Sequence, residues 1–173
     1  MATKRILVVD DDTYVRGATE EILVRRGYEV NTAPDARTAL QKLEEEEYDL
    51  LLSDIKMPNM SGLELLDRVK QKWTDLHVIL MTAFGTVEDA VEAMKKGAYD
   101  YIQKGSESTT SETEIVVERA LRFQETQREN RWLRSELKSR YGFGNMIGKS
   151  ANMEQIFDFI STVADSRATV LVT

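Results

Sequence analysis

The chain has no cysteine, two prolines and one histidine. Without cysteine there can be no disulfide and no thiolate metal site. His77 alone cannot build a histidine-based transition-metal centre; it precedes an apolar run and reads as a surface residue. No proline follows Pro58, and no glycine stands between Gly105 and Gly142, so nothing in that stretch breaks a helix. No run of 18 or more apolar residues occurs, so no membrane-spanning helix is expected. The opening MATKRILVVDDD passes from two basic residues to a short apolar run and then to acid, which is not a secretory signal. A cytoplasmic setting is expected. The net charge is −7, most of it within residues 1–105. A chain this acidic repels phosphate backbones, so a metal cation suits it better than nucleic acid.

What is present alternates. Ile6–Val9, Tyr28–Asn31, Leu50–Ser53, Val78–Met81 and Tyr99–Ile102 are short apolar or β-branched runs and read as strands. Helical patterns fall between them at 13–26, 35–47, 62–72 and 86–96. The first, third and fourth runs are nearly continuous hydrophobics, as expected when helices cover both faces of a sheet. Repeated βα units of this size give an open parallel sheet with right-handed crossovers. Asp12 or Thr13 can cap the first helix, and Gly27 and Gly97 sit where helices end on a left-handed residue. The fold class is therefore α/β, a five-stranded doubly wound parallel sheet, over residues 1–106.

Two further pieces follow. Ser111-Glu112-Thr113-Glu114 forms a capping box ahead of Ile115-Val116-Val117, and a helix of about thirty residues, or roughly 45 Å, fits residues 107–142. Val116, Phe123, Asn130 and Leu137 recur every seven residues, with Leu133 between the last two. That partial heptad predicts a homodimeric coiled coil, in which Asn130 can fix register; an amphipathic helix folded onto the first domain is the plainer alternative. Trp132 fits either an interface or an exposed position. In residues 143–173, Ser150 can cap a helix bearing Met153, Ile156, Phe157, Ile160 and Val163, and Thr169–Val172 reads as a strand. About thirty residues cannot bury a core alone, so this piece reads as the start of a further domain.

In open α/β sheets the working site lies beyond the carboxyl ends of the strands. Those ends offer Asp10 and Asp11, Asp54, Thr82 and Lys104. Clustered carboxylates raise each other's pKa unless cations intervene, and a hard divalent ion such as Mg²⁺ is the natural one. With Lys104 as a second positive charge, Asp54 can stay ionised and attack a phosphoryl group, while Thr82 donates to a phosphoryl oxygen. Any one of these residues alone would more often be a helix cap. The signal is the set.

The segments ILVVDDD, LLLSDIKMPNMSG, VILMTAFG and AYDYIQK together resemble the receiver domains of bacterial response regulators, a CheY-like, flavodoxin-like fold, over about residues 4–104. The resemblance implies Asp54 as phosphoacceptor, Asp10 and Asp11 as metal ligands, and the Lys56 main-chain carbonyl as a further ligand. It implies a switch through Thr82 and Tyr101, and a phosphohistidine on a sensor histidine kinase, or a small acyl phosphate, as donor. Such receivers place a proline after the lysine; here Gly105 follows, so that loop is expected to run differently. IGKSANMEQIF and VADSRATVLVT resemble the opening of the ATPase domain in sigma-54-dependent enhancer-binding activators. This implies a parent that meets sigma-54 RNA polymerase and DNA through domains outside this chain, which itself lacks a P-loop and is expected not to be an enzyme. Gly148-Lys149-Ser150 is not that loop, because Phe143 stands where its first glycine is needed.

Two alternatives stay open. Asp10-Asp11-Asp12-Thr13, Thr82 and Lys104 also resemble the motifs of haloacid-dehalogenase-like phosphatases, though these leave Asp54 without a role. A degenerate receiver acting only as a dimerisation module is the other.

Overall fold

The computed structural model describes residues 3–83, 86–105 and 109–141, together with 153, 155–156 and 158–160; side chains at 109–110 and 137–141 fall outside the description. Five parallel strands, β1 (Arg5–Val9), β2 (Glu29–Ala33), β3 (Leu50–Asp54), β4 (His77–Thr82) and β5 (Asp100–Gln103), form one sheet in the order β2-β1-β3-β4-β5. Four helices link them: α1 (Thr13–Arg25), α2 (Ala36–Glu45), α3 (Gly62–Lys72) and α4 (Val87–Lys95). A fifth, α5, runs Thr109–Tyr141.

The pleat sorts the apolar runs onto two faces. Leu7, Val9, Leu51, Val78 and Leu80 pack with Ala36, Ala39, Leu43, Leu65, Leu66, Val69 and Ala93, so α2, α3 and α4 cover one side. Ile6, Val8, Leu50, Leu52, Ile79, Met81 and Ile102 pack with Leu23, Val116, Val117, Ala120 and Leu121, so α1 and the first part of α5 cover the other. This is why the strands read as unbroken hydrophobic runs rather than alternating ones.

Caps explain most helix starts. Asp12 caps α1 by accepting from the Tyr14 and Val15 amides, and Asp35 caps α2 through the Thr38 amide. Ser61 with Glu64, and Thr86 with Asp89, make reciprocal capping boxes for α3 and α4. Gly27 and Gly97 end α1 and α4 at φ +86° and +91°.

Several expectations need correction. β2 begins at Glu29, one residue later than expected, because the Tyr28 amide donates back to the Leu23 carbonyl at the end of α1. β5 begins at Asp100 rather than Tyr99. α5 is already helical at Thr109, so Ser111 lies in its first turn instead of capping it. Glu114 binds Arg26 at 2.5 Å rather than closing a capping box. The first compact unit extends to Thr126, so the boundary placed at residue 106 cuts off the part of α5 that completes the core. A second unit begins at Gln127, within the same helix. In it, Met153, Ile156 and Ile160 are helical. Ser150, Phe157, Val163, the Thr169–Val172 run and the Gly148-Lys149-Ser150 triplet lie outside the described residues.

Candidate functional site

The sheet register brings four strand ends to one rim. Val9 is level with Ser53, Asp54 with Met81, and Thr82 with Gln103, which puts Asp10, Asp54, Thr82 and Lys104 at neighbouring chain exits. Asp10, Asp54 and Thr82 are 1%, 6% and 1% exposed. Lys104 Nζ reaches between the two carboxylates, 2.5 Å from Asp10 Oδ2 and 2.6 Å from Asp54 Oδ1. The Lys104 amide donates to the Thr82 carbonyl at 2.7 Å, which continues the ladder and sets the lysine's starting point. Gly105, the departure from the family's proline at which the loop was expected to run differently, takes φ +97°, so the chain turns through a left-handed residue just past the lysine.

Each carboxylate is also held by its own loop. Asp10 Oδ1 accepts from the Asp12 amide at 3.0 Å, and Asp54 Oδ2 from the Lys56 amide at 2.9 Å. Lys56, expected to contribute its main-chain carbonyl, therefore meets Asp54 through its N–H. Asp11 is exposed beside the pair. Burial pushes the Asp54 carboxyl above the ordinary carboxylate range; the Lys104 hydrogen bond and charge pull it down, and Asp10 pushes it up. Two buried carboxylates sharing one ammonium leave a net negative charge, with hard oxygen donors only. That chemistry fits a divalent cation such as Mg²⁺ better than a second lysine or a soft metal. Among the described residues, no three ligating side chains converge on one point, and the Lys104 ammonium lies between Asp10 and Asp54.

The remaining predicted residues fall as follows. Tyr101 packs its ring against the α2–α3–α4 core, and its hydroxyl is buried without a hydrogen-bond partner among the described residues. Burial also raises its pKa. Val116, expected on a dimer seam, is 7% exposed and belongs to the core; the α5 face that carries it covers the sheet. Phe123 is half-exposed with its ring 5.9 Å from those of both His77 and Tyr99. His77, expected at the surface, stacks on Tyr99 at 4.8 Å and donates from Nδ1 to the Ala120 carbonyl at 3.2 Å. Asn130 and Leu133 are exposed on α5. Leu137 is helical with its side chain outside the described residues.

Two residues of the site carried no separate signal. A Cβ on Gly62 would lie 2.1 Å from the Asp54 carbonyl oxygen, so only glycine lets α3 start this close to the phosphoacceptor candidate. Gly62 was visible only as the last letter of the MPNMSG segment. Arg16, one turn into α1, donates from Nη1 to the Asp10 carbonyl at 2.6 Å. Nothing in the helical pattern distinguished it.

Residues 6–115 match the family model for the response regulator receiver domain. The chain belongs to the response regulator receiver family. It is 36% identical to the regulatory protein AtoC of Escherichia coli over 99% of this chain and 37% of that protein. It is 34% identical to the DNA-binding transcriptional regulator NtrC of Proteus hauseri, over 99% of this chain and 35% of that protein. Thus it spans little more than a third of the curated relatives it matches. The solution structure of the beryllofluoride-activated NtrC4 receiver domain dimer aligns with TM-score 0.66 and 32% identity, covering 70% of this chain and 99% of that one. Receivers of this family take in the signal of a two-component phosphorelay. No helix among the described residues is long and apolar enough to cross a membrane.

Proposed function

We propose that this receiver accepts a phosphoryl group on Asp54 and acts as the switch of a longer transcription regulator. The observation that carries the reading is the buried Asp10–Lys104–Asp54 cluster at the carboxyl rim of the sheet. An Asp54 carboxylate oxygen forms the new O–P bond while the donor's P–N bond breaks, and the leaving imidazole takes up a proton. Lys104 lies where it can neutralise the phosphoryl oxygens, and Thr82 is buried at the adjacent strand end to donate its hydroxyl. Asp10, Asp11, Asp54 and the Lys56 main chain would hold Mg²⁺, which neutralises developing phosphoryl charge when bound. The domain is then a switch rather than an enzyme with a substrate of its own. The phosphatase alternative fits less well, since Asp12 is engaged as a helix cap and Asp54 sits at the centre of the cluster. The intact cluster likewise speaks against a purely structural module.

The donor would be a phosphohistidine of a sensor histidine kinase. Phosphoramidate, which also carries a P–N bond, serves as the probe. An acyl-phosphate resonance in ³¹P spectra that needs Mg²⁺ and is absent from Asp54→Asn supports the reading. The same resonance in the variant would overturn it.

Homodimerisation through α5 beyond Thr126 forms the second part of the proposal. Exposed Trp132 and Leu133 at 61% and 45% support this seam, and the dimeric state of the NtrC4 receiver supports dimerisation in general. With Val116 committed to the core, the seam would use Asn130, Leu133 and Leu137. Output through a sigma-54-dependent ATPase and a DNA-binding domain is supported by the greater length of the relatives and by NtrC being a DNA-binding regulator. A chain that sediments as a monomer at high micromolar concentration, with and without beryllofluoride, would contradict the dimer.

A further inference from the structure

The β1–α1 turn has to deliver Asp10 and Asp11 in fixed directions, yet it is a short exposed connection. Asp12 is occupied as the α1 cap, and Asp11 and Thr13 are exposed. What closes the turn from the helix side is Arg16. Its Nη1 donates to the main-chain carbonyl of Asp10 at 2.6 Å, and its Nη2 lies 3.4 Å from Thr13 Oγ1. The side chain is half-buried, and its own amide sits in the first hydrogen-bonded turn, donating to the Asp12 carbonyl at 2.9 Å. Among the described residues no carboxylate binds this guanidinium, although three acidic side chains precede it in the turn. Its hydrogen bonding goes to the backbone of Asp10 rather than to a charge.

We infer that Arg16 is a positioning residue of the phosphoacceptor site, a clamp on the Asp10 carbonyl that holds the turn in the conformation offering Asp10 and Asp11 to the divalent cation. The inference rests on the reading that this site takes Mg²⁺. Groups that orient metal ligands matter to affinity as the ligands themselves do, and their loss typically weakens binding roughly ten- to a hundredfold. A competing account gives Arg16 only its charge. The two accounts differ in sign. A nearby cation repels Mg²⁺, so removing it should tighten binding, whereas removing a clamp loosens it.

The experiment measures the Mg²⁺ dissociation constant of the full chain by calorimetry for the wild type, Arg16→Met and Arg16→Lys, with circular dichroism to establish that each is folded. The clamp requires about a tenfold weaker constant for Arg16→Met. Arg16→Lys should fall between that and the wild type, because an ammonium can still donate one bond to the carbonyl. The rate of phosphorylation by a small acyl phosphate should be lowered in Arg16→Met, with the deficit narrowing as Mg²⁺ rises. Tighter or unchanged Mg²⁺ binding in Arg16→Met, with a wild type that binds, overturns the clamp alone. If Arg16→Met does not fold, Arg16→Lys decides: binding equal to the wild type overturns the clamp. A wild type that shows no Mg²⁺ binding overturns both this inference and the cation reading beneath it.

Discussion

Replacing Lys104 with methionine should destabilise the domain in a pH-dependent way, and the structure sets the size. The Lys104 side chain is 13% exposed, and its ammonium lies 2.5 and 2.6 Å from carboxylates whose side chains are 1% and 8% exposed. Removing one partner of a buried ion pair costs about 3–5 kcal/mol, because the remaining charge is left uncompensated. Here two carboxylates would face each other, and uptake of a proton limits the cost, so about 3 kcal/mol at pH 7 is expected. The domain stays measurable, since stabilities of this class run about 5–15 kcal/mol. Burial already raises Asp54, and the variant loses both Lys104 contributions that lower it. An acid raised in the folded state binds its proton more readily there than when unfolded. Stability therefore falls as pH rises from the unfolded value through the folded one, and the deficit should be smaller at pH 5 than at pH 7. Urea titrations followed by circular dichroism should show a midpoint about 1–2 M lower at pH 7, partly restored by millimolar Mg²⁺. A deficit below about 1 kcal/mol, or one equal at pH 5 and pH 7, would refute the reasoning.

Gly62→Ala should cost about 1–3 kcal/mol and slow phosphorylation, because its Cβ collides with the Asp54 carbonyl, whereas Gly17→Ala, in open space on α1, should stabilise by about 0.5–1 kcal/mol; equal midpoints in thermal unfolding would contradict this. Gln124 is 2% exposed, its Nε2 makes a 3.3 Å bond to the Asp75 carbonyl, and its Oε1 has no hydrogen-bond partner among the described residues. Gln124→Leu should therefore be neutral or stabilising by about 1 kcal/mol, and a clear loss of thermal stability would count against that accounting. The Thr38 amide holds the Asp35 carboxyl below its ordinary range. Asp35→Ala should thus cost about 1 kcal/mol at neutral pH. That cost is present above the unfolded pKa and fades as pH falls through the lower folded value, so an undiminished difference at pH 2–3 in urea titrations would contradict it.

The sheet was legible because both faces are covered, which makes ILVV, LLL and VILM stand out without regard to neighbours. The site was legible for a related reason: strand ends in such a sheet converge, so Asp10, Asp54, Thr82 and Lys104 could be grouped from chain position alone. Contacts set by packing were not legible. Val116 fits a heptad and a sheet-covering face equally well in one dimension, and only the sheet's proximity decides. His77 reads as exposed until α5 returns alongside β4 with Ala120 and Phe123. Arg16 and Gly62 act on main-chain atoms of Asp10 and Asp54, and side-chain pattern holds no trace of a main-chain neighbour. The helix start at Thr109 was missed because Ser111 supplied a plausible cap whose glutamate is drawn away to Arg26.

Asp54 is proposed as the phosphoacceptor of a cation-assisted pocket. Intact mass spectrometry after incubation with a small acyl phosphate tests it most directly. A single phosphoryl increment is expected in the wild type with Mg²⁺, little without it, and none in Asp54→Asn. An increment of equal extent in Asp54→Asn, or one indifferent to Mg²⁺ in the wild type, would contradict the account.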